Sequence, residues 1–233
     1  MRKVLITGVS SGLGAALAEA CLARGDDVYG MGRHDNKALH NKPGYYFLPV
    51  DLSDVELLRE NIKEFLRHHH FDLAILNAGR LGEIKELGET SLAELRRIFD
   101  LNVLANKQII DALDLHAKVD QVAAVSSGAA INGHKGWGSY SISKAALNIM
   151  IKVYAEEKPW THFSAIAPGV VMTPMLKELF DTADPALFPS VQRLREGLIL
   201  SPEVAAERFL KACEVARVKH PSGSFLDVRT MEI

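Results

Sequence analysis

The chain has 233 residues, 48% hydrophobic and 24% charged, and its 29 acidic against 27 basic residues leave a formal net charge of -2. That composition is the ordinary globular one and excludes disordered, collagen-like and disulfide-scaffold classes. With a near-neutral balance and no block of like charges there is no basic stripe for a phosphate backbone, so nucleic acid is not an expected partner.

In chain order, Met1-Arg2-Lys3 is basic, but the apolar run behind it ends at Thr7-Gly8. It is too short for a signal-peptide core of about 7 to 15 residues. Short β-branched runs then alternate with longer helical patterns. Strands are predicted at residues 4–7, 28–31, 45–50, 73–77, 119–126, 163–167 and 224–228, and helices at 12–24, 54–67, 91–117, 140–156 and 202–216. Ser53 with Glu56 and Ser91 with Glu94 have capping-box spacing, and Pro202 suits a first helical position. Such alternation demands an α/β fold: a doubly wound, seven-stranded parallel sheet with helices on both faces, in one domain over residues 1–233.

Residues 174–200 break the pattern, with Pro174, Pro185 and Pro189 among scattered Phe180, Leu187 and Phe188, and are expected to form an irregular lid. No apolar stretch reaches the roughly 18 residues of a membrane span. Cys21 and Cys213 lie far apart in helical stretches, which fits a reduced, cytoplasmic setting. His68-His69-His70 would point different ways on a helix, so no metal site is expected.

The first strand leads into Thr7-Gly8-Val9-Ser10-Ser11-Gly12-Leu13-Gly14, where a helix starts. Glycines let backbone approach a pyrophosphate, and the free amides and dipole of the helix N-terminus stabilise its charge. The spacing at 8, 12 and 14 is neither G-x-G-x-x-G nor a P-loop. At the end of the second strand, an acid would favour NAD and a cation NADP. Arg33 presents a planar fork of donors for a 2′-phosphate, and NADP is the expected preference, although Asp35 could bond a free ribose, leaving NAD open.

Further on come Asp51-Leu52, Asn77-Ala78-Gly79, Asn102, Ser126-Ser127, Tyr140 with Lys144, and Pro168-Gly169-Val170-Val171-Met172-Thr173. In this order and spacing they resemble the short-chain dehydrogenase/reductase family over almost the whole chain. The chemistry also follows from the residues. Tyr140 and Lys144 stand i and i+4 on one helix face, where an ammonium favours the phenolate. Lowering a phenol by two to three units is worth roughly 3 to 4 kcal/mol. Tyr140 then suits a general acid/base, with Ser127 holding the carbonyl oxygen. Ser126 is expected to point to the opposite face.

The resemblance implies further roles. Lys144 would also grip the nicotinamide ribose, and the Asn102 carbonyl would hold a water that passes protons to Lys144. Asp51 and Leu52 would flank the adenine, Asn77-Ala78-Gly79 would support the adenosine ribose, and Pro168 to Thr173 would embrace the nicotinamide amide. Family members often carry two asparagines before Ala-Gly; Leu76 in place of the first puts sheet hydrogen bonds there in doubt. Gly136-Trp137-Gly138-Ser139-Tyr140 and the Gly223-to-Val228 ending are similar to the sepiapterin reductase and benzil reductase branch, which implies reduction of a ketone or vicinal diketone by NADPH in a homodimer or homotetramer.

Trp137 is either an aromatic wall for the small-molecule carbonyl substrate or a packing residue, and Met172, Met175, Leu176, Phe180 and Phe188 are expected to line its pocket. Three readings compete: a general alcohol dehydrogenase or 3-oxoacyl reductase, a non-catalytic NADP sensor, and a nucleotide-sugar epimerase or dehydratase. The intact Ser127, Tyr140 and Lys144 disfavour the sensor, and the chain length disfavours the sugar enzyme.

Overall fold

In the computed structural model, which describes residues 1–232, strands and helices alternate. They run β1 (Lys3–Thr7), α1 (Gly12–Ala23), β2 (Asp27–Gly32), β3 (Tyr45–Pro49), α2 (Leu58–Leu66), β4 (His70–Phe71), β5 (Leu73–Leu76), α3 (Leu92–Phe99) and α4 (Ala105–His116). There follow β6 (Lys118–Val119), β7 (Gln121–Val125), α5 (Gly138–Glu157), β8 (His162–Ala167), α6 (Pro174–Thr182), α7 (Pro189–Glu196), α8 (Pro202–Lys219) and β9 (Ser224–Asp227). Seven strands form the expected parallel sheet in the order β3-β2-β1-β5-β7-β8-β9.

The central strands read as continuous apolar runs because both faces are covered. Along β1, Val4 and Ile6 pack with Leu17 and Cys21 of α1 and Phe209 of α8. Leu5, on the opposite face, packs with Ile62 of α2, Ile109 of α4 and Leu147 of α5. Each such side chain contributes about 1.5 to 3 kcal/mol on burial. Strand order reverses between β1 and β5, so the carboxyl ends of those strands diverge into a crevice of the kind where α/β sheets bind ligands.

Several expectations need correcting. The helix predicted from residue 54 starts at Leu58, and the Ser53–Glu56 capping box does not form, because the Ser53 amide and hydroxyl both donate to Asp51 Oδ1 at 2.9 and 2.7 Å. That local turn competes with helix. Ser91 does cap α3 by accepting from the Glu94 amide at 3.1 Å, but the Glu94 carboxylate bonds Lys85 instead of closing a box. Rather than one regular helix over 91–117, α3 and α4 are joined by a π turn, Asp100–Leu104. The strand expected at 119–126 splits at Asp120: β7 joins the main sheet, while β6 pairs with β4.

Residues 174–200 are not irregular. Thr173 caps α6, Pro189 opens α7, and both helices share a small apolar core with Trp137. Pro202 opens α8 behind the cap of Ser201, as expected.

The triple histidine lies beyond α2, not on it, with His69 beside Lys3 and His70 on Asp120. Among the described residues, no group of His, Cys, Asp and Glu could hold a metal ion, and no helix is long and apolar enough to cross a membrane. Cys21 and Cys213 are buried free thiols; burial pushes Cys21 up to about 12 and Cys213 upward as well.

Candidate active site

A cavity of about 810 Å³ lies over the carboxyl ends of the central strands, between the glycine turn and the helices α5, α6 and α7. Gly8, Ser10, Ser11, Gly12, Leu13 and Gly14 form one end. Gly8 takes a φ of 74°, open to glycine at little cost, and its amide donates to Met31 O at 2.8 Å. At Gly14 only hydrogen fits: a Cβ would stand 2.0 Å from Gly8 O and 2.4 Å from Asn77 Nδ2. Ser11, the N-cap of α1, makes no side-chain capping bond, and the first turn carries no acidic residue. Those first-turn amides thus remain available to an anion, and the cradle suits the pyrophosphate of a dinucleotide.

Asn77 secures this turn. Its side-chain amide donates to Thr7 O at 2.9 Å and Gly8 O at 3.2 Å, while Thr7 Oγ1 accepts from the amides of Asn77 and Ala78, both at 2.9 Å. The doubt raised by Leu76 is resolved here, since Leu76 is buried in the core and the single asparagine makes the bonds. Thr7 was missed in the sequence, where a threonine closing a strand has no distinctive spacing.

Arg33, Asp51 and Leu52 line the adjoining part of the cavity with Asn77, Ala78 and Gly79. Arg33 is exposed at its edge. Asp35 is engaged within its own loop, accepting from Tyr45 Oη at 2.8 Å, His40 Nδ1 at 2.8 Å and the Asn36 amide at 2.7 Å. The Ser53 hydroxyl and amide hold the Asp51 carboxyl below the usual range, and Arg33 and Arg80 add to the effect. Arg80, unmarked by any motif, lines the same space.

Ser127, beyond the end of β7, and Tyr140 and Lys144 on α5 meet at the centre of the cavity. Ser126 points away, donating to Asn148 Oδ1 at 2.6 Å. Burial raises the Tyr140 phenol above its ordinary range, and a hydrogen bond with Ser127 draws it part of the way back. Lys144 lies on the same face of α5 as Tyr140. Its Nζ donates to Val125 O at 2.7 Å and stands 5.8 Å from the Tyr140 ring centroid, and burial lowers it to about 8.

Asn102 is wholly buried in the π turn. Its Oδ1 accepts from the Arg80 amide at 2.8 Å, and Nδ2 donates to Arg80 O at 2.9 Å and Ser143 Oγ at 3.0 Å. The side chain thereby ties the Gly79-Arg80 loop to α5. Its carbonyl accepts from Asn106 Nδ2 at 2.8 Å.

At the far end, Gly169, Val170, Val171, Thr173 and Met175 line the cavity, but Pro168 and Met172 do not. Met172, Phe180 and Phe188 pack into the lid core instead. Leu176 lines the cavity as expected. Trp137 does both: it touches the cavity, and its Nε1 donates to Ser190 Oγ of α7 at 2.8 Å, with its ring edge-on to Tyr140 at 6.1 Å. His134, Arg193 and Arg229 complete this end. They come from loops and the lid, where only the fold, not spacing in sequence, brings them together.

A parallel sheet with this glycine turn and a serine, tyrosine and lysine in one cavity defines a dinucleotide-dependent oxidoreductase. The short chain dehydrogenase model matches residues 2–184, and the chain belongs to that family. It is similar to the benzil reductase ((S)-benzoin forming) of Bacillus cereus, 31% identical over 250 residues, 98% of this chain and 99% of that protein. A benzil reductase of Saccharomyces cerevisiae is 31% identical over 229 residues, 87% of this chain and 86% of that one. Among solved structures, a short chain dehydrogenase/reductase from Saccharomyces cerevisiae matches with a TM-score of 0.84 at 22% identity, covering 98% of this chain and 96% of that chain; this likeness is one of fold.

Proposed function

We propose that this enzyme reduces a ketone or vicinal diketone with hydride from NADPH. The observation that carries the reading is Tyr140, paired with Ser127 and its phenol raised by burial, facing the same cavity as the uncapped N-terminus of α1. Two relatives named as benzil reductases support the carbonyl class. The α1 amides would hold the pyrophosphate, Arg33 the 2′-phosphate, and Val170 to Thr173 the nicotinamide amide.

When bound, the dinucleotide supplies the hydride. Ser127 Oγ donates to the substrate oxygen and fixes its place. The raised Tyr140 phenol keeps its proton at neutral pH and gives it up as negative charge grows on that oxygen, so the product is an alcohol. The buried Lys144 lends positive charge to the phenolate left behind. The Asn102 carbonyl would hold a water on the path that returns the proton. A homodimer or homotetramer in the cytoplasm is part of the reading. Ile142, Ile149 and Val153, apolar and exposed along α5, support association.

The test is consumption of NADPH and, separately, NADH with benzil by the wild type and Tyr140→Phe. NADPH turnover that falls about 10²- to 10⁴-fold in the variant is expected. If NADPH neither binds nor is consumed, the reading fails; tight binding without turnover of any carbonyl would favour a sensor.

A further inference from the structure

β9 ends at Asp227, and the chain beyond it lays Arg229 along the substrate end of the cavity. The side chain is fixed by its neighbour. Arg229 Nε stands 2.9 Å from Asp227 Oδ1 and 3.2 Å from Oδ2, Nη2 stands 2.6 Å from Oδ2, and the Arg229 amide donates to Oδ1 at 3.0 Å. Two glycines leave room for it. A Cβ at Gly128, the residue after Ser127, would stand 3.2 Å from Arg229 Nη2, and one at Gly169 would stand 3.7 Å from its Cγ. The carboxylate side of the pair is 15% exposed and the guanidinium side 55%, and Arg229, not Asp227, lines the cavity. A rigid edge of N–H donors therefore lies one residue beyond the serine proposed to hold the carbonyl oxygen.

Building on the carbonyl-reductase reading, we infer that Arg229 is the specificity residue that selects a vicinal dicarbonyl, its free N–H groups donating to the second carbonyl oxygen while the first meets Ser127 and Tyr140. Charge decides which second group fits. Asp227 already neutralises the guanidinium, so the pair offers donors without net charge, which suits a neutral oxygen; a carboxylate would bring an uncompensated negative charge. A plain ketone leaves the donors without a partner, and a site built to hydrogen-bond a group discriminates against an analogue lacking it. Because this edge is half exposed and water partly serves the donors, the discrimination is about ten- to a hundredfold, not the larger factors of a closed site.

The experiment compares kcat/KM for benzil and for deoxybenzoin, the same skeleton with one carbonyl, in the wild type and Arg229→Gln, with NADPH affinity measured by fluorescence titration. The wild type should favour benzil by about tenfold or more, and Arg229→Gln should bring that ratio near one while still binding NADPH. A second variant, Asp227→Asn, keeps Arg229 and releases its charge, and should raise kcat/KM for phenylglyoxylate relative to benzil by about tenfold. A benzil-to-deoxybenzoin ratio equal in wild type and Arg229→Gln overturns the inference. Should Arg229→Gln fail to fold, an unchanged phenylglyoxylate-to-benzil ratio in Asp227→Asn overturns it. A wild type that reduces neither ketone fails differently: it removes the carbonyl-reductase reading and this inference with it.

Discussion

Thr7 and Asn77 hold each other from both sides: the Asn77 backbone amide donates to Thr7 Oγ1 at 2.9 Å, and the Asn77 side chain donates back to the Thr7 carbonyl at 2.9 Å. The bonds join the tops of β1 and β5, the two strands between which the sheet reverses its order. Thr7 is wholly buried, and its hydroxyl also serves the Ala78 amide. Thr7→Val keeps the shape but strands two amides, each costing about 1 to 3 kcal/mol. Urea unfolding should show a loss of that order in Thr7→Val and a much smaller one in Thr7→Ser, with NADPH affinity falling in parallel.

Lys144 makes stability depend on pH in a predictable direction. Its pKa is about 8 when folded against an ordinary value of 10.5, so between those limits the unfolded chain binds more protons and stability rises with pH. The cost of keeping the ammonium buried is fully present below pH 8 and gone above about 10.5. It amounts to about 3 kcal/mol. Lys144→Met removes this titration, so the wild-type Tm should climb relative to the variant between pH 8 and 10. A gap between the two melting curves that does not change over this range would show that the amine is not desolvated.

Arg33 stands exposed beside the part of the cavity assigned to the adenosine, and Asp35 is already engaged by Tyr45 and His40. Replacing Arg33 by alanine should raise KM for NADPH about 10- to 100-fold, the worth of a charge-assisted hydrogen bond, and move KM for NADH by less than about threefold. Equal losses with both coenzymes would assign Arg33 to a site other than the 2′-phosphate.

The bond from Trp137 to Ser190 fastens α7 to the residue three before Tyr140. Ser190→Ala leaves a buried indole N–H without an acceptor at a cost of about 1 to 3 kcal/mol. Since the lid has its own small core, that loss should open the lid rather than unfold the sheet. Limited proteolysis should then cut within residues 174–200 faster, and KM for the carbonyl substrate should rise, while the global Tm changes little.

Most of the sheet was legible because a strand buried on both faces leaves a plain signature, as in Val4-Leu5-Ile6. The glycine turn and the Tyr140–Lys144 pair were legible because their spacing is local. Two kinds of feature were not. Where short polar side chains bind the backbone nearby, as Ser53 does at Asp51, they override a capping pattern that looks the same in sequence. Arg229 and Arg80 reach the cavity only through the fold, and the apolar residues of 174–200 were divided between cavity and lid core by helix phase, which prolines obscured. On α6, Met175 and Leu176 line the site while Phe180 packs into the lid core.

The π turn at Asp100–Leu104 turns chain length itself into catalytic information. A π turn contains one residue more than regular helix needs for the same advance, and deleting any one residue there would let α3 run straight into α4 with every backbone bond in ordinary register. Local hydrogen bonding would improve. Because the π turn absorbs its extra residue in a local bulge, α3 and α4 would keep their phase and Ile98 its place in the core. What would go is the bulge itself, and with it the aim of Asn102 at the Arg80 loop. Substitutions along this segment act on single contacts, whereas a single-codon deletion here would leave a smoother helix and a dismantled site.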